Sequence, residues 1–450
     1  MDEIREPERM TPVAADVDVC VIGGSCTGVF AAAAAARSGA TAAVIEANGF
    51  FGGMATAALV SIWHSFYDTE FQRKIIGGLT GEVVERLKKR RAVHVVENNP
   101  HMHIVLHTDE LVIELDELVK ESGIRPFLHT RFVRPHVEDG AVKAAIIEDK
   151  TGRRAVKARV FIDASGDGDL IARVPFGFRK LEDIQPPTTC AVLGGIRERG
   201  AASEAIRGTV FAPEFHGRVP HGFMWTADVV GEPDRMLFAG TRVPNADCSD
   251  ADGLTRAEME GRRQVRAVLD IVRERAAGLS GSRLARLPAM IGVRETRHAC
   301  CLHTLSEQEV LNGVRFDDAI ANGSYRVDVH HSDKPGLTFR YLDGREDYIA
   351  PGQATVQGRW RPEQEANPTF YQIPYRSLVP LNSKNVLVAG RLIDADRGAY
   401  GAVRVMVNCN QTGEAAGVAA ALMVSEGVGA ASVDSCRLRA VLERHGAIML

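Results

Sequence analysis

An α/β fold is predicted, in which a parallel-sheet domain is interrupted by an inserted mixed α+β domain. Three observations predict it. A short β-branched run, a glycine turn and an alanine-rich helix follow one another over residues 17–38. A meander of three strand-like runs with two hairpin turns occupies 131–161. A strand and an alanine-rich helix return over 385–424, after a stretch from 172 to 375 that shows no βα alternation.

Val17–Ile22 is apolar, β-branched and closed by glycines, the pattern of a strand buried on both faces. Val29–Ser38 is almost wholly alanine, the best helix former, and small enough to let a helix lie close on a sheet, with Gly39 as its stop. Ala42–Glu46 is the second strand, completing a right-handed βαβ unit. Residues 48–105, rich in glycine, aromatics and histidine, delay the third parallel strand and argue against a plain NAD domain. His107–Gly123 carries Leu111, Leu115 and Leu118 at helical spacing, and Arg125–Thr130 reads as a strand beyond it. Phe132–Val137, Ala141–Glu148 and Arg153–Phe161 form the meander, turning at Asp139-Gly140 and Lys150-Thr151-Gly152. Val160–Ala164 reads as a further buried strand running into Ser165–Asp169. Asn385–Ala389 is the returning strand, and Gln411–Val424 the closing helix. The expected boundaries are 13–171 for the first part of the parallel-sheet domain, 172–375 for the inserted substrate domain, 376–428 for the closing part and 429–450 for a tail.

Composition narrows the function classes. Fifty-four basic and 58 acidic residues leave a net charge of −4, so no whole-chain electrostatic footprint for nucleic acid or an anionic membrane exists. The eight cysteines contain no CxxC pair, as expected of a reduced intracellular protein. Residues 1–9 are too acidic for a signal or transit peptide, and the apolar runs 31–36 and 418–424 are too short to span a bilayer. A cytoplasmic location and no membrane partner are expected.

Gly23-Gly24-Ser25-Cys26-Thr27-Gly28 lies between strand and helix, at the place of a dinucleotide-binding GxGxxG turn with serine as its middle residue. Gly23 makes the tight turn, Gly28 allows close helix–sheet contact, and the helix N-terminus offers amides to a pyrophosphate. Glu46 ends the second strand about 20 residues on, where a carboxylate accepts ribose hydroxyls. Gly49–Thr56 brings a second glycine-rich backbone segment beside it, suited to the longer pyrophosphate cradle of FAD.

The segments VDVCVIGG, TGVFAAAAAARSGATAAVIE, GFFGGMATAALV, VFIDASGDGDLIA, IGVRETR, VLNGVRFDDAIANGSY and IPYRSLVP with NVLVAGRLIDADRGAYGAVRVM resemble successive blocks of the FAD-dependent oxidoreductase family. That family is similar to the glutathione-reductase and fumarate-reductase flavoproteins in its discontinuous, Rossmann-like FAD-binding domain. The resemblance implies FAD as cofactor. It implies that Gly23, Ser25, Cys26, Thr27, Gly28 and Glu46 hold the ADP half, that Gly52, Gly53 and Met54 lie along the pyrophosphate, and that Ser165, Gly166 and Asp167 close the cradle. It brings Gly390, Arg391, Asp394, Gly401 and Val403, with Arg404, to the ribityl chain and isoalloxazine. The closing helix would point its N-terminus at the flavin pyrimidine edge, where reduction builds negative charge.

The chemistry expected is hydride transfer between a small organic substrate and flavin N5. No second strand–glycine turn–helix unit occurs between 60 and 380, so electrons are expected to pass to or from an external partner. A flavin monooxygenase and an electron-transfer subunit without its own substrate are the alternatives, and the oligomeric state is open. Arg294 and Arg297 follow an apolar run and suit an anion clamp; a structural ion pair with Glu295 is the competing reading. In an extended chain Arg294 and His298 share one face and Arg297 takes the other. His64, His298 and Tyr400 are the candidate bases, with Trp63, Phe66 and Tyr67 beside the flavin. His101, His103 and His107 read as solvated or core residues. His298, Cys300, Cys301 and His303 alternate in direction, so no metal site is expected.

Overall fold

The computed structural model describes residues 3–450 except 98–101, 197–198, 216, 221–222, 277 and 351–352, so His101 lies outside the described residues. Strand β1 (Val13–Ile22) runs into helix α1 (Cys26–Arg37) and strand β2 (Ala42–Ile45). Helix α2 (Thr108–Glu121) precedes β3 (Arg125–Phe127), and β4 (Arg131–Glu138), β5 (Ala141–Asp149) and β6 (Gly152–Asp163) form the meander. The chain returns to this sheet only at β7 (Val386–Val388), followed by helix α3 (Met406–Glu426).

The parallel order is β3–β2–β1–β6–β7, with β5 and β4 added antiparallel along the first half of β6. The meander strand and the buried strand expected at 153–161 and 160–164 are therefore one twelve-residue strand. Its first half pairs with β5, and its last three residues pair with β7. The Asp139-Gly140 turn has both residues at positive φ, 49° and 72°, matching the twist of a two-residue hairpin.

Alanine dominates α1 because α3 lies almost in backbone contact with it. A Cβ built on Gly413 would stand 2.2 Å from the Thr27 carbonyl oxygen, and one on Gly417 2.0 Å from that of Ala31. Glycines one helical turn apart thus carve the groove that α1 fills. The closing helix begins five residues earlier than its alanine content suggested.

The described residues of 172–375 form no second parallel sheet. Strands Trp225–Asp228, Arg235–Ala239, Cys190–Gly194 and Arg283–Arg286 make one antiparallel sheet, packed with helices Arg199–Val210 and Ala251–Arg275 around a core of its own that includes Leu193, Phe238 and Val268. A second antiparallel sheet, Val327–His330, Leu337–Arg340, Arg345–Ile349 and Val356–Arg359, shares the core of α1 and α3 through Val327, Val329 and Leu342. No helix among the described residues is long and apolar enough to cross a membrane.

Candidate active site

The carboxyl ends of β1, β2, β6 and β7 meet at one edge of the sheet, and the glycine turn sits there. Gly23 takes φ +98°, and a Cβ on Gly28 would stand 1.8 Å from the Gly23 carbonyl oxygen, so the turn closes only because both lack side chains. Ser25 is the N-cap of α1; its hydroxyl accepts from the Gly28 amide at 3.4 Å. Gly52 N donates to Gly24 O at 2.9 Å and Gly53 lies against Ser25, which brings the second glycine segment alongside the first. Cys26 and Thr27 are buried beneath this junction, with the Cys26 thiol 3.6 Å from Gly52 O and its pKa pushed up to about 12 by burial.

Glu46 is buried at the end of β2. Its carboxylate accepts from Gly24 N at 2.7 Å, Asn48 N at 2.8 Å and Asn48 Nδ2 at 2.7 Å. Three of roughly four acceptor positions on a carboxylate are thereby taken. Glu46 braces the turn as much as it offers an acceptor to a ribose.

The far wall of the cradle is organised by Asp163, which sequence reasoning left unassigned. Its carboxylate, fully buried, accepts from Ser165 N and Oγ at 3.1 and 2.6 Å and from Leu170 N and Ile171 N at 2.9 and 3.0 Å. These bonds wind Ser165–Asp169 into a compact loop. Thr296 Oγ1 donates to Asp167 Oδ1 at 3.0 Å, Arg297 Nη1 to Asp167 O at 2.7 Å, and Arg391 lies over Gly166 with Nη2 3.4 Å from Asp167 Oδ1. Arg391 Nη1 is buried without a protein partner among the described residues.

Next to the cradle is a cavity of about 780 Å³, within the range of small-molecule sites. Met54 and Arg391 reach it from the cradle, and Arg404, Val405 and Met406 line it where α3 starts, at Met406, with no side chain capping that end of the helix. His64, Arg294, Tyr325, Arg326, Asp328 and His330 supply the polar lining. Asp328 is the hub. It accepts from Tyr325 Oη at 3.0 Å and Arg404 Nη2 at 3.2 Å, with His330 Nε2 at 3.4 Å. Burial pushes its pKa up, but His330, Arg404 and Arg326 outweigh that and hold the carboxyl well below its ordinary range. Burial, with Arg294 adding to it, brings His330 down to about 4, and burial with Arg326 brings His64 down to about 3. Both imidazoles are neutral at neutral pH.

Strand alternation explains His64. Ile62 and His64 face the cavity while Trp63 turns into the core, as does Phe66. His103, expected to be solvated or core, pairs across the strand with His64 and also lines the cavity; His107 instead caps α2. Arg294 lines the cavity, but the residues after it do not follow the expected alternation, because this stretch forms only a two-residue strand, His298–Ala299. His298 is fully buried, bonded to Glu295 at 2.9 Å and packed 4.4 Å from the ring of Tyr400. Tyr400 Oη donates to Arg294 O at 2.8 Å. Neither lines the cavity, so both hold the Arg294 segment and are corrected as candidate bases. Arg297 faces Asp167 and Ser249 and is corrected likewise, from anion clamp to brace of the cradle loop.

Three residues expected near the flavin carry protein contacts. The Asp394 carboxylate is tied to Arg179 Nη1 at 2.5 Å and Cys301 N at 2.7 Å. Gly401 packs on the backbone of Asp328, and Val403 is in the core. From the same stretch it is Arg404, Val405 and Met406 that line the cavity. Tyr325, Asp328 and His330 were missed, although the first two close and follow a quoted block; only their pairing with Arg404 and the cavity marks them.

The family profile for FAD dependent oxidoreductases matches residues 18–442. The chain belongs to the FAD dependent oxidoreductase family. It is an FAD-dependent enzyme. No curated protein matches it. Solved structures similar to this oxidoreductase include a geranylgeranyl bacteriochlorophyll reductase-like protein from Thermoplasma acidophilum, with 12% identity, TM-score 0.45, and coverage of 96% of this chain and 84% of the other. Another is p-nitrophenol 4-monooxygenase from Pseudomonas putida DLL-E4, with 10% identity, TM-score 0.45, and coverage of 96% and 84%.

The residues of the oxidoreductase fit FAD. The cradle closes as it does only because Gly28, Gly53 and Gly166 lack a Cβ, which would strike Gly23 O, Ser25 and the Arg391 guanidinium, and its wall holds the unpartnered Arg391 nitrogen.

Proposed function

We propose that this oxidoreductase moves a hydride between a small organic substrate and N5 of its FAD, with Arg294 holding an anionic group of the substrate and His330 exchanging the accompanying proton. Bound FAD supplies the two-electron redox centre. The observation that carries the reading is the state of Arg294. Its Nη1 donates to Pro186 O at 2.5 Å and Thr188 Oγ1 at 2.6 Å, yet no carboxylate pairs with it among the described residues. Burial, reinforced by Arg404, brings its pKa down to about 10, so it remains a cation at neutral pH. Asp328 acts on it only through space, and a desolvated cation without a directly paired carboxylate costs several kcal/mol, which an incoming carboxylate offsets. Arg404, by contrast, is already neutralised by Asp328.

His330 faces the same cavity with Asp328 behind it, the arrangement in which a carboxylate steadies an imidazole as it gains a proton. In the oxidising direction the substrate's heteroatom proton passes to this neutral imidazole as the hydride leaves carbon; reduction reverses both. Cys190 and Trp225 of the inserted sheet, with Thr188 just before it, line the cavity, which supports a substrate chamber over a bare electron carrier. The single strand–turn–helix unit supports an external electron donor or acceptor.

The test is anaerobic titration of the holoenzyme with a panel of small hydroxy and amino acids and their amides, following loss of the visible flavin bands. Reduction by acids and not by the matching amides is expected, with Arg294→Met raising KM. Reduction by the amides at equal KM refutes the role of Arg294.

A further inference from the structure

Resting on that reading, we infer that the substrate is a carboxylic acid with an aromatic body, its carboxylate on Arg294 and its ring against Leu337 and Phe339. The second inserted sheet dictates this division. Asp328 pairs in register with Phe339 and His330 with Leu337, so all four side chains share one face, and all four line the cavity. Neighbouring strands lie about 4.8 Å apart. The wall therefore changes from charged to apolar within one strand spacing, short enough for one small molecule to touch both.

Arg294 lines the cavity together with Asp328 and His330 and belongs to the charged side, where its charge acts on both. The apolar side is aromatic in character. Phe339 meets the Phe223 ring edge-on at 6.4 Å and 83° and the Tyr341 ring at 6.3 Å and 67°, while the Arg326 guanidinium lies 3.8 Å from its centroid. Val60 and Ile62 add aliphatic surface to the lining. A guanidinium laid on a ring and rings met edge-on form a surface that favours a further π-system over a saturated chain of equal size. Acetate-sized acids would reach Arg294 and leave that wall wet.

The experiment is equilibrium binding of benzoate to the oxidised holoenzyme, by calorimetry and by the shift of the visible flavin bands, against acetate, cyclohexanecarboxylate and benzyl alcohol. Benzoate is expected to saturate the site, with benzyl alcohol and acetate each at least about tenfold weaker and cyclohexanecarboxylate about fivefold weaker. Arg294→Met should weaken benzoate by about tenfold or more and leave benzyl alcohol unchanged, while Phe339→Leu should weaken benzoate about fivefold and acetate by less than about twofold. Benzyl alcohol binding as tightly as benzoate overturns the carboxylate, and cyclohexanecarboxylate binding as tightly overturns the ring. No saturable benzoate binding by FAD-loaded protein overturns both. These wild-type comparisons stand if a variant fails to fold. Because binding is read without turnover, failure here is distinct from failure of hydride transfer, which shows as flavin that no small organic compound reduces.

Discussion

Replacing Gly28 by alanine puts a methyl carbon 1.8 Å from the Gly23 carbonyl oxygen. A carbon and a carbonyl oxygen approach no closer than about 3.3 Å, so the turn must open by about 1.5 Å. The Gly23 side is pinned, because its amide donates to Ile45 O at 2.8 Å, and the displacement therefore falls on the first turn of α1. That shift takes an amide–phosphate bond from its normal length of about 2.9 Å past the limit of a hydrogen bond. Each charge-assisted bond lost is worth about 1.5–3 kcal/mol, or about 10- to 150-fold in affinity. Purified Gly28→Ala protein should carry less flavin, read as the ratio of visible to ultraviolet absorbance, and apo protein should bind FAD with a Kd raised by that factor in a fluorescence titration. Gly81→Ala is the matched control. Nothing stands within 4 Å of a Cβ built there, in the interior of the helix Gly78–Lys89, so the substitution should add about 0.5–1 kcal/mol of stability and leave FAD binding untouched. Wild-type FAD affinity in Gly28→Ala refutes the reasoning, as does an equal loss in both variants.

Glu414 is buried on α3 and accepts from Leu79 N at 3.0 Å, and burial pushes its pKa up to about 8. A pKa raised by folding means stability that is complete below about pH 4.5 and is lost as pH rises through about 8, at about 1.4 kcal/mol per pH unit where the two states differ by a full proton. Glu414→Gln should remove that slope in urea unfolding between pH 5 and 9; an unchanged slope refutes it. In the oxidising direction the rate profile should fall on the acid side near pH 4, where His330 gains its proton, and KM should rise near pH 10, where Arg294 loses its charge; His330→Gln should abolish the acid limb, and a limb that persists assigns it elsewhere. Gly417→Ala forces α1 and α3 apart and should cost about 1–3 kcal/mol in thermal or urea unfolding, whereas a neutral effect would show that the helices are not in backbone contact.

Reading the chain alone located the cradle closely. The strand, the glycine turn, α1, Glu46 and the second glycine segment all lie within residues 13–56, and their geometry follows from local rules: burial pattern, helix propensity and the backbone freedom of glycine. The meander was equally legible, because hairpins are specified by their turn residues. Two strands read there were one, since a strand that changes partners halfway looks like two short ones until its neighbours are known.

The cavity was legible only in part. Arg294 and His64 were named, but so were Arg297, His298 and Tyr400, which face Asp167, Glu295 and the Arg294 backbone instead. The alternation that sorts side chains by face holds along a paired strand, and residues 290–297 are not one. Asp328 and His330 gain their meaning from Arg404 and Arg294, which are brought beside them from distant parts of the chain. Sequence by itself determined the cofactor-binding scaffold, because its conformational requirements are met by neighbours within a few turns and strands. Tertiary structure alone decided which charges meet in the cavity and which are left unpaired, because burial and pairing are properties of segments that only folding brings together.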